Sequence, residues 1–522
     1  MSLLAENLDI LMFAALAAAI LLGYPVVFTL AGLAVGFALL GAATGQMGLD
    51  GLRFLSQRVF AIMTNPVLLA IPLFVTMGML LERSRIAEEL LEDMGRLFGG
   101  LRGGLGVSVT IVGMLLAAST GIVGATVVTM ALIALPTMMR AGYGKPLASG
   151  VVISAGTLGQ IIPPSTMLII LADVMSSGYQ QAQYEMGRFS VDTISVGQVF
   201  AAALVPGLML VGIYIVFVLV LAALRPEAAP AMRDSTDPID LKRTLVMLMP
   251  PLLLIVAVLG SILGGVATPT EAASVGAVGA LLLAAARLGP LKRAWPIGLG
   301  GLAVVGLLIL SASFDMRVAR QEIAPADQAA ILVAAALTLV LVGAIGFALV
   351  RVARAGILTA VVDGTLTVTC MIFAMLIGAS LFSLVFHELG GADRVEAFLA
   401  NLPGGEAAAL FFVMAVIFVM GFFLDFVEIS IIVLPLVIPT LLIMGIDPVW
   451  LAVMIAINLQ TSFMTPPFGF SLFYLRGAAP REVRTLDIYK GAIPFVLLNV
   501  CGIGLVYLFP IIGTWLPGVL FP

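Results

Sequence analysis

Two stretches of this chain gather side chains that bind ions without titrating. One is Gly156-Thr157-Leu158-Gly159-Gln160-Ile161-Ile162-Pro163-Pro164-Ser165, and the other is Asn458-Leu459-Gln460-Thr461-Ser462-Phe463-Met464-Thr465-Pro466-Pro467-Phe468-Gly469. Each lies inside a long apolar segment. A Pro-Pro pair removes two successive backbone donors, so upstream carbonyls lose their helical partners. Freed carbonyls, with hydroxyl and amide oxygens beside them, are the ligands a dehydrated alkali cation needs. The half-helix beyond such a break turns its N-terminal dipole towards the site, where a carboxylate is favoured. A proline kink healed by neighbouring helices is the plainer reading of either break taken alone.

The two breaks are copies. At a constant offset of 303 residues, Leu135-Pro136-Thr137 falls on Ile438-Pro439-Thr440, Gly142 on Gly445, and Pro163-Pro164 on Pro466-Pro467. A duplicated, interrupted membrane helix is the mark of a secondary transporter that binds its substrate near mid-membrane. Upstream of each break lies a second interrupted segment. About 104–140 breaks at Ser119-Thr120-Gly121-Ile122-Val123-Gly124-Ala125-Thr126, and about 407–443 breaks around Asp425-Phe426-Val427-Glu428-Ile429-Ser430. The first offers hydroxyls and glycines that let the backbone turn closely. The second offers two carboxylates, which are costly inside lipid and mark function, unless the tip is wet and the acids are merely solvated. Either segment is a full span or a re-entrant hairpin.

The elements that carry these residues are membrane helices. Of 522 residues, 61% are hydrophobic and 10% charged, with a mean hydropathy of +1.19; soluble domains carry about 25% charged residues. Residues 6–43 would make one helix of roughly 57 Å against a hydrocarbon core of about 30 Å, so Gly23-Tyr24-Pro25 is expected to turn the chain between two short spans. Further spans are predicted at about 59–81, 146–172, 196–224, 244–263, 270–287, 295–313, 329–350, 358–386, 449–475 and 491–515. Residues 82–102 place Ile86, Leu90, Leu91, Met94 and Leu97 on one helical face below a charged one, the pattern of an interfacial helix. The first nine residues hold two acids and no base, unlike a secretory signal, so the first apolar run is read as retained membrane structure.

Charge placement orients the copies. Arg83, Arg85, Arg96, Arg102, Arg140 and Lys145 flank the first interrupted segment; Arg225, Arg233, Lys242 and Arg243 share one loop, Arg287, Lys292 and Arg293 another. Arg351 with Arg354, and Arg476, Arg481, Arg484 and Lys490, complete the basic loops, while 314–328 mixes Arg317 and Arg320 with acids. All basic loops lie inside only if both interrupted segments are hairpins, the first open to the cytoplasm and the second to the outside. The copies are then inverted.

Other motifs have structural readings. Thr268-Pro269-Thr270-Glu271 is a capped helix start, and His387-Glu388 sits at a span end. His387 is the only histidine, and Cys370 and Cys501 lie in separate apolar segments, so they are read as small hydrophobes. No Walker loop, zinc-protease helix or hydrolase elbow is present, which leaves ATP-driven transport and hydrolysis without machinery. Nothing points to nucleic acid.

At these residues the chain resembles the large membrane subunit of tripartite ATP-independent periplasmic (TRAP) transporters. The carrying stretches are Asn65–Gly78, Ser119–Ser165, Ala267–Ala273 and Asn458–Gly477, with Gly-x-x-Gly-x-Ile-Ile-Pro-Pro-Ser and Thr-Pro-Pro-x-Gly as the specific motifs. The resemblance implies a sodium-driven elevator-type importer in the bacterial inner membrane, a small four-helix membrane subunit, and a periplasmic substrate-binding protein that delivers an organic acid. Two features depart from the pattern. The first tip has fewer hydroxyls than many relatives, and residues 288–355 form an insertion of two extra spans, a long form that resembles the branch associated with keto-, hydroxy- or aromatic-acid uptake.

The expected fold is therefore an all-α polytopic membrane protein, an inverted-repeat elevator-type transporter with two re-entrant helical hairpins and two broken helices. Its expected parts are 1–103 (scaffold spans and interfacial helix), 104–175 (first transport repeat), 196–287 (scaffold), 288–355 (insertion), 358–406 (scaffold or connecting span), 407–476 (second transport repeat) and 477–522 (C-terminal span). Expected substrate contacts are Ser119, Thr120, Gly124, Thr126, Ser165, Thr461 and Ser462. Expected ligands for two Na⁺ sites are Ser119, Gly121, Gly156, Thr157, Gln160 and Pro163, and Asp425, Glu428, Asn458, Thr461 and Thr465. A stand-alone sodium–anion symporter of the same architecture, a channel and an intramembrane enzyme are the rival readings.

Overall fold

The computed structural model describes residues 7–84, 86–231, 241–288, 294–319 and 323–521. Arg85, Arg233, Lys292, Arg293 and Arg320 lie outside it, as do the side chains of Ser119, Thr120, Ile86, Lys242 and Arg243. The described residues form α-helices and short connections without strands. Among the described residues eight helices are long and apolar enough to cross a membrane, and a bent pair would make a ninth. The all-α polytopic fold is the one expected.

Several spans fall where hydropathy places them: Val196–Leu224, Pro269–Arg287, Trp295–Ser313, Pro325–Arg354 and Ile357–Glu388. Leu8–Leu21 and Val26–Thr44 are separate helices, turned at Gly23, whose φ of +83° is a conformation glycine adopts freely. Ile86–Phe98 is helical and buries Leu90, Leu91 and Met94.

Two apolar runs read as single spans are interrupted, and a hairpin arm carries a further bend. The run 59–81 divides into Leu55–Thr64 and Ala70–Arg83. Asn65 precedes a proline and is extended (ψ 113°), as steric contact with the Pro66 ring requires. Its Oδ1 accepts from Val67 N–H at 2.9 Å, and Thr270 donates to Pro66 O at 2.5 Å. The run 491–515 divides into Thr485–Leu508 and Ile511–Leu520, because Pro510 cannot continue the ladder. Within 407–443 the second arm bends by 57° between Phe426–Ile432 and Leu434–Ile443, where Pro435 opens the new helix.

Packing divides the chain into two groups. Val26–Thr44 and Ala70–Arg83 pack on Ile357–Glu388, and Ala70–Arg83 also packs on Pro269–Arg287. The insertion helices pack on each other, with Pro325–Arg354 against Pro269–Arg287. The other group holds the hairpins and broken helices. Val196–Leu224, expected in the scaffold, packs on the first hairpin, the second broken helix and Ile511–Leu520. Hydropathy reports burial in lipid or protein alike and so could not assign its neighbours.

The two copies interlock. The second arm of the first hairpin, Val123–Arg140, packs on Phe470–Ala478 beyond the second break. Its counterpart in the other copy, Leu434–Ile443, packs on Thr166–Glu185 beyond the first break. Such reciprocal contacts are what a twofold relation between copies requires.

Candidate functional site

In the first copy, Lys145–Thr157 tightens into a 3₁₀ turn at Leu158–Gln160, and helix resumes at Thr166–Glu185. One side chain replaces a donor lost at the prolines, Ser165 Oγ donating to Gln160 O at 3.1 Å, and a turn upstream Thr157 Oγ1 donates to Ser154 O at 3.0 Å. The first hairpin turns at Gly121, φ +61°, and Thr166 Oγ1 donates to its carbonyl at 2.8 Å. The hairpin lies directly on the break. A Cβ on Gly156 would fall 2.6 Å from Val127 Cγ2, and one on Gly159 2.9 Å from Ala117 O.

In the second copy, Pro448–Met464 gives way to Phe470–Ala478. Thr465 Oγ1 donates to Thr461 O at 2.8 Å, Ser471 Oγ to Phe463 O at 2.5 Å, and Asn458 Nδ2 to Met414 O on the second hairpin at 2.8 Å. Thr461 and Ser462 donate to their own helix at Ile457 O and Leu459 O. Here the hairpin supplies the glycine: a Cβ on Gly421 would lie 2.0 Å from Ser462 Oγ. Both Pro-Pro peptides, Pro163-Pro164 and Pro466-Pro467, are cis.

A buried polar chain joins the breaks. Met464 Sδ lies 3.2 Å from Thr157 Oγ1 and accepts from Asn499 Nδ2 at 3.3 Å. Tyr214 OH donates to Asn499 Oδ1 at 2.6 Å and accepts from Gln460 Nε2 at 3.2 Å. Both amide atoms of Gln160, and Gln460 Oε1, are buried without a hydrogen-bond partner among the described residues. A buried amide left so costs free energy, and an oxygen ligand to a cation would relieve it. The hydroxyls of Thr157, Thr461 and Thr465 spend only their hydrogens on carbonyls, so their oxygen lone pairs remain available.

Asp425 and Glu428 have a structural task. Phe426 N–H donates to Asp425 Oδ1 at 2.7 Å, and Asp425 N–H donates to Glu428 Oε2 at 3.0 Å, a capping box at the start of Phe426–Ile432. Among the described residues no group of three acid, histidine or cysteine side chains is placed to hold a metal.

Between the two tips lies a cavity of about 440 Å³, within the size range of small-molecule sites. Ile122, Gly124 and Val128 face it from the first hairpin, and Asp425, Phe426 and Val427 from the second. Thr166, Phe463, Phe470 and Tyr474 contribute from the broken helices. The last wall comes from the other packing group: Met79, Glu82, Arg83, Val368, Met371 and Ile372. Gly124 is the point where the copies meet, since a Cβ there would lie 2.9 Å from the Tyr474 ring.

Of the expected substrate contacts with described side chains, Gly124 lines this cavity. Thr126, which donates to Ile122 O, and the buried Ser165, Thr461 and Ser462 do not. The sequence reading missed Glu82, Arg83, Met371 and Tyr474; Arg83 and Glu82 carried the one visible signal, charges at a span end.

Residues 13–298 and 287–512 match the model of the family described as "Tripartite ATP-independent periplasmic transporter, DctM component". The C4-dicarboxylate TRAP transporter large permease protein DctM of Vibrio cholerae serotype O1 is 26% identical over 94% of this chain and 96% of its own. The ectoine TRAP transporter large permease protein TeaC of Halomonas elongata is 23% identical, covering 98% and 99%. Among solved structures, the Alcanivorax borkumensis YdaH transporter aligns with a TM-score of 0.54 over 91% of this chain and 90% of that one. At 15% identity this likeness speaks for the fold alone.

Proposed function

The chain belongs to the DctM component family of tripartite ATP-independent periplasmic transporters, and from that premise we propose that it imports an organic acid by sodium symport. It is a multi-pass membrane protein and a permease rather than an enzyme, placed in bacteria in the inner membrane. The family works with a small membrane subunit and a periplasmic binding protein, and in our reading this chain does so too.

The observation that carries the proposal is the cavity between the tips, walled by both broken helices on one side and by the other packing group on the remaining side. A substrate held there rides with hairpins and broken helices when they slide as a body along the helices of Met79 and Met371. That motion is an elevator, and it exposes one site to either side in turn. Na⁺ is taken at each tip-to-break contact. In the first copy the ligands are oxygens of Gly121, Gly156, Thr157, Gln160 and Pro163. In the second they are oxygens of Asn458, Thr461 and Thr465, with the charge of Asp425 and Glu428 nearby. Cation binding at each break stabilises the closed tip, so cavity and gradient are coupled.

Reconstituting the chain with its small subunit and binding protein in proteoliposomes tests this. Uptake of the acid should need an inward sodium gradient and all three components. Uptake indifferent to sodium would sink the coupling, and full-rate uptake without either partner would leave a stand-alone symporter.

A further inference from the structure

The cavity's charge is unevenly placed. Arg83 is its only cationic wall residue among those described. It is exposed, and it makes no hydrogen bond or ion pair among the described residues. Its neighbour Glu82 does not neutralise it by direct contact: Glu82 Oε1 accepts from Thr129 Oγ1 at 2.9 Å, and the other oxygen is buried inside the protein. The wall contributed by the second hairpin is different. Asp425 stands there, fixed by its capping bonds, beside the rings of Phe426, Phe463, Phe470 and Tyr474.

We propose that Arg83 receives the substrate's carboxylate, and that the cavity prefers an acid with one carboxylate on an apolar body over a dicarboxylate. This rests on the organic-acid reading above and adds a selecting residue to it. An unpaired guanidinium in a partly enclosed site grips a carboxylate through two parallel hydrogen bonds. The apolar body then lies against the rings, where burial of carbon is favourable. A second carboxylate at the far end of such a molecule meets Asp425, a like charge with no cationic wall residue to offset it. Selection against the dianion is therefore built from repulsion as well as attraction. An arginine at a span end also has a simpler occupation, holding the span's orientation in the membrane, and lysine serves that purpose equally.

The test is equilibrium binding to the purified permease with its small subunit in saturating Na⁺. Hexanoate and phenylacetate are the monocarboxylate probes, succinate and adipate the dicarboxylates, and phenylacetamide the neutral control. The monocarboxylates should bind about tenfold or more tightly than the dicarboxylates. Arg83→Gln should weaken phenylacetate about tenfold or more and leave phenylacetamide unchanged, with Arg83→Lys between the two. An unchanged thermal midpoint of the unliganded variants shows that the fold is intact. Dicarboxylates binding as tightly as monocarboxylates, or acids binding Arg83→Gln as they bind the parent, would overturn the inference and leave acid import standing. Failure of every acid to bind would remove the organic-acid reading itself, and this inference with it.

Discussion

The two hairpins cover their broken helices at equivalent positions, yet they reach that contact by opposite distributions of small and polar residues. In the first copy the glycines are on the broken helix: Gly156 and Gly159 admit Val127 and Ala117 of the hairpin. In the second copy the glycine is on the hairpin, and Gly421 admits Ser462. The 303-residue register sets Gly159 against Ser462, and Ala118, next to the Ala117 that Gly159 meets, against Gly421, so the small residue has changed sides across equivalent parts of the interface. The polar clasps differ likewise. Thr166 of the broken helix donates to the tip carbonyl of Gly121 in the first copy, while Asn458 donates to the arm carbonyl of Met414 in the second. Close backbone approach is common to both copies; the side chains that allow it are interchangeable. Only the second tip carries acids, and there they close the first turn of a helix.

The glycine exchange gives the largest expected effect. Gly421→Ala should cost about 3 kcal/mol through overpacking against Ser462, read as a lower unfolding midpoint in detergent and loss of transport. Adding Ser462→Gly recreates the first copy's arrangement and should recover most of the loss. A double variant no better than Gly421→Ala would break the equivalence of the two contacts. Next comes Thr166→Val, which keeps the shape but leaves Gly121 O without its donor, for about 1 to 2 kcal/mol. If the midpoint stays put, the clasp is incidental to how the first tip closes. The smallest stability effect belongs to Asp425→Asn, because asparagine caps a helix as well as aspartate does, within about 0.5 kcal/mol. The sodium concentration for half-maximal uptake should nonetheless rise. An unchanged value would confine Asp425 to capping.

Much of this arrangement is legible in residue order. The Pro-Pro pairs announce the breaks because two missing donors cannot be hidden in a helix, and the offset pairs them. The insertion spans and the interfacial helix follow from hydropathy and periodicity. Pro66 and Pro510 were equally visible, but each sits in a run apolar enough to pass for one span, and hydropathy averages over a single interruption. The cavity was not legible. Its walls come from residues as far apart as Met79, Thr166, Met371 and Tyr474, and only tertiary packing brings them together. The expected hydroxyls at Ser165, Thr461 and Ser462 were the right type at the breaks, but their hydrogens go to nearby carbonyls and their side chains stay out of the cavity.

The interlocking of the copies has a consequence for how the chain is made. Thr166–Glu185 finishes its packing only on Leu434–Ile443, and Val123–Arg140 only on Phe470–Ala478. At roughly 5–20 residues per second of synthesis, the earlier helices wait on the order of 15 to 60 seconds before their partners leave the ribosome. Through that interval the first hairpin and its broken helix stand in the membrane with the glycine-lined face of Gly124 and Gly178 uncovered. Neither copy is a folding unit, and a chain truncated after the first repeat should be cleared by membrane proteases rather than persist as half a transporter.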